Sequence, residues 1–266
     1  MSKANSRKLF DISGKVALIT GGAGLLAFEY AKVLAEHGAN IILVDLDDNT
    51  CKDRALELER KTGEKAIGLF VDLADKRSIQ DMVEKTLDKF RSIDILINNA
   101  AVKSPKFFVP FEEFPLKDWE TVVAVNLTAV FLCSQVVGRQ MLKQGKGVII
   151  NIASHYGVVG PDFRIYEGSS INTPPVYSAT KAGVVGLTRY LATWWANKNI
   201  RVNCVSPGGV YDNQSDDFVQ KYSYRVPQGR MAEKTDLQGV ILFLASDASS
   251  YVTGQNLVID GGWTAW

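Results

Sequence analysis

Two histidines and three cysteines are all that the 266 residues hold of the side chains most used to bind transition metals. Cys51, Cys133 and Cys204 share no metal-like spacing, and an odd number does not fit a closed disulfide framework. They are expected to be buried or inert thiols, and no metal site is expected. Net charge is nearly absent as well: 30 Lys and Arg against 29 Asp and Glu leave +1, which gives no electrostatic reason for nucleic acid or an anionic membrane as partner. No apolar run approaches about 18 residues, the length of a membrane span, and the opening MSKANSRKLFDISGK has no apolar segment of the secretory-signal kind. Repeats and low-complexity segments are missing too. The expectation is a cytoplasmic protein that acts on, or binds, a small molecule.

What is present is an ordinary globular balance, 46% apolar and 22% charged, in a chain long enough to bury a substantial core. Apolar runs of strand length recur at 16–20, 41–45, 67–71, 93–98, 148–152, 201–205 and 256–260. They are mostly β-branched or aliphatic instead of alternating, as strands buried on both faces of a parallel sheet are. Helical patterns lie between them, among them LAFEYAKVLAEHG, SIQDMVEKTLDKF, WETVVAVNLTAVFLCSQVVGRQML and YSATKAGVVGLTRYLATWWAN. Strands alternating with helices predict an α/β fold with a doubly wound sheet, and no composition shift divides residues 1–266 into more than one domain. The interval 160–175, GPDFRIYEGSSINTPP, has three prolines and no apolar periodicity and reads as a long loop.

After the first strand comes TGGAGLLA, where Gly22, Gly24 and Ala27 fill the G-x-G-x-x-G/A pattern of a dinucleotide turn, with Gly21 ahead of them. Such a turn brings backbone close to a pyrophosphate and aims helix N-terminal amides at it. Asp45 ends the second strand 24 residues after Gly21, placed to accept hydrogen bonds from ribose hydroxyls and to repel a 2′-phosphate. No Arg or Lys lies within 21–31 or 45–50 to offset it, so NAD is expected in preference to NADP. Further on, Tyr177 and Lys181 in YSATK stand four apart, on one face of a helix, where an ammonium beside a phenol favours phenolate.

TGGAG, ILINNAA, VNLTAVFL, VIINIAS, YSATKAGVVGLTRYLA, IRVNCVSPGG and VTGQNLVIDGG occur in the order and approximate spacing of the short-chain dehydrogenase/reductases, which the chain resembles from about Lys15 to Gly262. The resemblance implies a seven-stranded Rossmann sheet, a nicotinamide cofactor, and assembly as a homotetramer or dimer. It implies a catalytic tetrad of Asn126, Ser154, Tyr177 and Lys181. In it Tyr177 is the general acid/base, Ser154 steadies the substrate oxygen, Lys181 lowers the tyrosine pKa and holds the nicotinamide ribose, and Asn126 helps place a relay water. Cofactor positions implied in the same way are Gly21, Gly22, Gly24, Leu25, Leu26, Asp45, Leu46, Asp72, Leu73, Asn99, Ala100, Ala101, Tyr177, Lys181, Pro207, Gly208, Gly209 and Val210, with Asn98 adjoining.

The chain departs from the family pattern at three places. Glycines usual at 25 and 27 are Leu25 and Ala27, and a threonine usual two residues after Val210 is Asp212. Ser154 and Tyr177 are 23 apart, roughly ten residues more than is typical, and the excess falls in the 160–175 loop. Its Arg164, Tyr166, Glu167, Ser169, Ser170 and Asn172 suit hydroxyls or a carboxylate, so Arg164, Tyr166 and Glu167, with Ser154 and His155, are the candidate substrate contacts. Residues 210–230 occupy the place of the family's substrate loop. The expected activity is NAD-dependent interconversion of a secondary alcohol and a ketone on a sugar, polyol or sugar acid, resembling sugar-acid and nonulosonate-related oxidoreductases. Two alternatives are a 3-oxoacyl thioester reductase, with Arg139, Lys143 and Lys146 contributing a basic docking face, and a non-catalytic NAD-binding regulator.

Overall fold

Seven aliphatic runs pair into one parallel sheet in the order β3-β2-β1-β4-β5-β6-β7. The strands are β1 (Val16–Thr20), β2 (Asn40–Asp45), β3 (Ala66–Phe70), β4 (Ile95–Asn98), β5 (Gly147–Ile152), β6 (Ile200–Pro207) and β7 (Asn256–Ile259). This computed structural model describes residues 6–169 and 171–266, so Ser170 lies outside the described residues. Each observed strand lies within two residues of the expected run, because a strand covered on both faces has no polar face to blur its ends.

Successive side chains along a strand go to opposite faces, and two cores result. Ala17 and Ile19 of β1 pack with Ile41, Leu43 and Ile97 under helices α2 (Leu25–Glu36) and α9 (Gln238–Ala245). Val16 and Leu18 pack with Ile42, Val44 and Leu96 under α4 (Lys76–Phe90), α6 (Ala129–Gln144) and α7 (Pro175–Trp194). The other helices are α1 (Ser6–Leu9), α3 (Asp48–Thr62), α5 (Leu116–Val123) and α8 (Asp216–Arg225). All three cysteines are free and buried.

Helix α3 was not expected from periodicity, since only Cys51, Ala55 and Leu58 of its 15 residues are buried. Its ends are written in the sequence: Asp47 accepts a hydrogen bond from the Thr50 N–H, and Gly63 closes it at φ 78°. The expected single helix over WETVV…RQML is α5 and α6 joined by a π-helical turn at Ala124–Thr128. The combined Leu116–Gln144 stretch, with mean hydropathy 1.8 over its most apolar 18 residues, is long and apolar enough to cross a bilayer, contrary to the reading of the runs. Its apolarity is used inside the domain, where Ala129, Cys133, Val137 and Met141 pack against the sheet.

Sheet order reverses at β1, which lies between β2 and β4. In open α/β sheets the crevice beyond the strand ends at such a reversal is where ligands sit. The segment 160–175 is less irregular than expected: Phe163–Tyr166 is a short 3₁₀ turn, and α7 begins at Pro175. It is fastened to α8 by an Asp162–Arg225 ion pair at 2.9 Å and by Lys221 Nζ donating to the Glu167 carbonyl at 2.7 Å.

Candidate active site

Thr20 ends β1 with a buried hydroxyl that accepts from the backbone N–H groups of Asn99 at 3.0 Å and Ala100 at 3.1 Å, tying the end of β4 to the glycine turn. Gly21 follows at φ 69°, and a Cβ there would lie 2.8 Å from the Ala100 Cα, so only glycine fits. Asp45 Oδ2 accepts from the Ala23 N–H at 3.2 Å. Helix α2 then starts after Gly24 with no side-chain cap and no acid in its first turn. Its leading amides are therefore not matched to an internal anion, which fits a phosphate-bearing ligand. The reading of the flanking segments missed Arg54: it reaches over from α3 and its Nη1 donates to the carbonyls of Gly22 and Gly24, each at 2.7 Å.

The strand ends gather the other adenosine-side candidates. Asp45 ends β2 and Leu46 follows it, Asp72 and Leu73 follow β3, and Asn99, Ala100 and Ala101 follow β4. Leu73 is buried whereas Leu46 is exposed. Asn99 Nδ2 donates to the Thr20 carbonyl at 3.0 Å.

A cavity of about 420 Å³ opens beside this turn and brings together Leu26, Asn99, Ala101, Ser154, Tyr177, Lys181 and the run Pro207–Val210. Ser154 lies two residues past β5, and Tyr177 and Lys181 lie on the first turns of α7. Lys181 is 3% exposed, and its Nζ donates to the Ile152 carbonyl at 2.8 Å. Burial pushes its pKa down to about 8. The ammonium lies 5.8 Å from the centre of the Tyr177 ring. The expectation that Lys181 draws the tyrosine pKa down is not met here: burial holds Tyr177 above its ordinary value, and a hydrogen bond with Ser154 opposes this more weakly. Asn126 sits buried on the π-helical turn, a distortion frequent at functional sites. Its Oδ1 accepts from the Val102 N–H at 2.9 Å, and its Nδ2 has no partner among the described residues.

His155 and Tyr166 line the cavity, but Arg164 and Glu167 do not. Arg164 points outward and is held by Asp162 at 2.7 and 2.8 Å, and Glu167 is exposed with its backbone N–H and carbonyl engaged. The 3₁₀ turn explains the split, since it sends Ile165 and Tyr166 inward and the charged neighbours out. His155 Nδ1 contacts the Pro207 carbonyl at 3.1 Å, which fixes the proton on Nδ1, and Nε2 is buried without a partner among the described residues. Burial lowers its pKa.

Tyr156, Thr173, Gln214 and Tyr222 line the cavity without having been foreseen. Tyr156, Tyr166 and Thr173 form a hydroxyl chain at 3.1 and 2.7 Å, and Asn172 Oδ1 is buried without a partner among the described residues. The Tyr222 hydroxyl of α8 accepts from the Gly209 N–H at one end of the cavity. Gln214 also lines the wall, and its Oε1 receives the N–H of Asp212 at 2.7 Å. No local motif marks these residues, because the tertiary fold brings them in from separate segments. Among the described residues no group of three or more His, Cys, Asp or Glu could hold a metal ion.

Comparisons with known proteins agree with this architecture. The family model described as enoyl-(acyl carrier protein) reductase matches residues 22–264. A 2-dehydro-3-deoxy-D-gluconate 5-dehydrogenase of Dickeya dadantii is 38% identical, with 96% of this chain and 98% of that protein covered. A 3-oxoacyl-(acyl-carrier-protein) reductase of Chlamydia muridarum is 35% identical, with 93% and 96% covered. Among solved structures, a gluconate 5-dehydrogenase of Burkholderia cenocepacia in complex with NADP and tartrate superposes at TM-score 0.89 with 31% identity, covering 98% of this chain and 100% of that one. A short-chain dehydrogenase of Leptospira borgpetersenii with bound NAD+ gives 0.85 with 38% identity over 99% of this chain and 97% of that one. With the family model spanning nearly the whole chain, the protein belongs to the short-chain dehydrogenase/reductase family of oxidoreductases.

Proposed function

We propose that this oxidoreductase interconverts a secondary alcohol and a ketone on a polyhydroxylated substrate, a sugar, polyol or sugar acid, with NAD in preference to NADP. The observation that carries the reading is one cavity that holds Ser154, Tyr177 and Lys181 together with a polar wall: His155 Nε2 and Asn172 Oδ1, without partners among the described residues, and the Tyr156–Tyr166–Thr173 hydroxyl chain. Buried polar atoms without partners are costly, and substrate hydroxyls are suitable partners for them.

The nicotinamide, when bound, supplies the hydride acceptor or donor. Leu26, Asn99, Tyr177, Lys181 and Pro207–Val210 would hold that end, and Gly21, Gly22, Gly24, Leu25, Asp45, Leu46, Asp72, Leu73, Ala100 and Ala101 the adenosine end. Tyr177 moves the proton at its phenolic oxygen. Burial keeps that phenol protonated at neutral pH, the form that donates to a ketone oxygen. In oxidation the phenolate is needed; the hydrogen bond from Ser154 favours it, and the positive charge of an oxidised nicotinamide would favour it further. Ser154 donates to the substrate oxygen as charge grows there. Asn126, on a π-helical turn and with an amide donor that has no partner among the described residues, is assigned the water-placing role.

Asp45 supports NAD, since its carboxylate is fixed by the turn where a 2′-phosphate would bring a second negative charge. Assembly into a homo-oligomer is supported by Tyr190 and Trp194, stacked at 6.0 Å on α7 and 58% and 65% exposed. Residues 1–266 read as one domain, and three buried thiols suit a reducing compartment such as the cytoplasm. The alternative, a 3-oxoacyl thioester reductase, is favoured by the apolar part of the wall, Phe107, Phe108, Ile171, Phe218 and Met231.

Tyr177→Phe tests the catalytic assignment. Turnover is expected to fall at least about 100-fold, with the dissociation constant for NAD+ nearly unchanged by calorimetry. Retained turnover would remove Tyr177 from the proton-transfer role.

A further inference from the structure

The glycine turn lacks two family glycines, and the structure holds it from outside. Arg54 Nη1 donates to the Gly22 and Gly24 carbonyls at 2.7 Å each, and its guanidinium lies 5.5 Å over the Phe28 ring of α2. On the opposite side of the same peptide unit, the Ala23 N–H donates to Asp45 Oδ2 at 3.2 Å. The Gly22–Ala23 peptide is thus gripped by a cation at its oxygen and an anion at its nitrogen.

The Gly24 carbonyl belongs to the peptide that carries the Leu25 N–H, the first amide of α2. In a trans peptide the C=O and N–H point in opposite directions. Holding the carbonyl toward Arg54 therefore turns the Leu25 N–H away from α3. Gly24 provides no side-chain cap for α2, so the direction of that amide is set by the backbone and by Arg54.

We propose that Arg54 is a positioning residue of the cofactor site, which orients the amides of the TGGAG turn toward a nucleotide pyrophosphate in a turn where Leu25 and Ala27 stand at two positions usually held by glycine. The proposal rests on the dinucleotide reading of the turn. It concerns the part of the cofactor common to NAD and NADP, so it makes no distinction between them. Arg54 is half-buried beside the Cys51–Ala55–Leu58 stripe of α3, 9 residues after Asp45 and outside the segments that a motif reading searches.

The test is calorimetric titration of wild type, Arg54→Ala and Arg54→Lys with NAD+ and with NADP+, alongside thermal unfolding without nucleotide and steady-state kinetics. Loss of this preorganisation is expected to weaken binding of both nucleotides by about tenfold in Arg54→Ala. The effect falls on the nucleotide KM and much less on kcat, and Arg54→Lys, which keeps a cation within reach of one carbonyl, recovers part of it. Unchanged dissociation constants with a lowered melting temperature would make Arg54 merely structural and overturn the proposal. A loss confined to NADP+ would overturn it too, by making Arg54 a 2′-phosphate contact. Should Arg54→Ala fail to fold, Arg54→Lys carries the same comparison. Wild-type protein that binds neither nucleotide would instead sink the dinucleotide reading, and the proposal with it.

Discussion

Replacing Lys181 with methionine should make the nucleotide-free protein more stable at neutral pH while abolishing turnover. Lys181 is 3% exposed, and its Nζ donates to the Ile152 carbonyl. Burial pulls its pKa from the ordinary 10.5 to about 8. Keeping the ammonium charged in the fold at pH 7 therefore costs roughly 3 kcal/mol. Methionine fills similar space without charge, but leaves the Ile152 carbonyl without its donor, a loss of about 1–2 kcal/mol. The balance is a gain of about 1–2 kcal/mol, or about 2–6 °C in melting temperature for a chain of this size. Below pH 8 folded and unfolded chains both hold the lysine proton, so the cost is fully present. Between pH 8 and 10.5 the unfolded chain binds more protons than the folded one, and wild-type stability rises with pH relative to the variant. Thermal unfolding of both proteins at pH 7 and pH 9.5 reads this directly, with the gap expected to narrow at the higher pH. A Lys181→Met protein less stable than wild type at pH 7, or a gap independent of pH, would refute the reasoning.

Two further outcomes follow from the site. Asp45→Asn removes the charge that opposes a 2′-phosphate while preserving an acceptor for the Ala23 N–H, and should shift the NADP+ to NAD+ preference toward NADP+ by about tenfold; binding titrations with both nucleotides check it, and an unchanged ratio would release Asp45 from the selectivity role. His155 is held below its ordinary pKa of 6.5 by burial, so as pH falls below about 6.5 the unfolded chain takes up a proton that the folded chain resists, and stability is lost. His155→Gln should flatten the denaturant midpoint between pH 6.5 and 5, whereas an unaltered slope would assign the acid sensitivity elsewhere.

The strands were legible because burial on both faces leaves an uninterrupted aliphatic signal, as in VALIT. Tyr177 and Lys181 were legible because four residues bring two side chains to one helical face. Helix α3 was not, because its buried stripe is only three residues wide and its evidence lies in Asp47 and Gly63 at its ends. Arg54 was hidden for a related reason: its partners, Gly22 and Gly24, are far away in sequence, and β1 and β2 must pair before α3 meets the turn. Arg164 misled in the other direction. A guanidinium in a polar loop suggests anion binding, but Asp162 two residues earlier already satisfies it, and the 3₁₀ turn points it outward. The π-helical turn at Asn126 interrupts a helix without any change in hydrophobic period, so no pattern announced it.

The most direct measurement is the rate of NAD+ and NADP+ reduction by purified protein across sugars, sugar acids, polyols and 3-hydroxyacyl thioesters, followed by absorbance of the reduced nicotinamide. Turnover of a polyhydroxylated compound, faster with NAD+ than with NADP+, is the predicted result. Preference for acyl thioesters with NADP+ would contradict both the reading of the polar wall and that of Asp45.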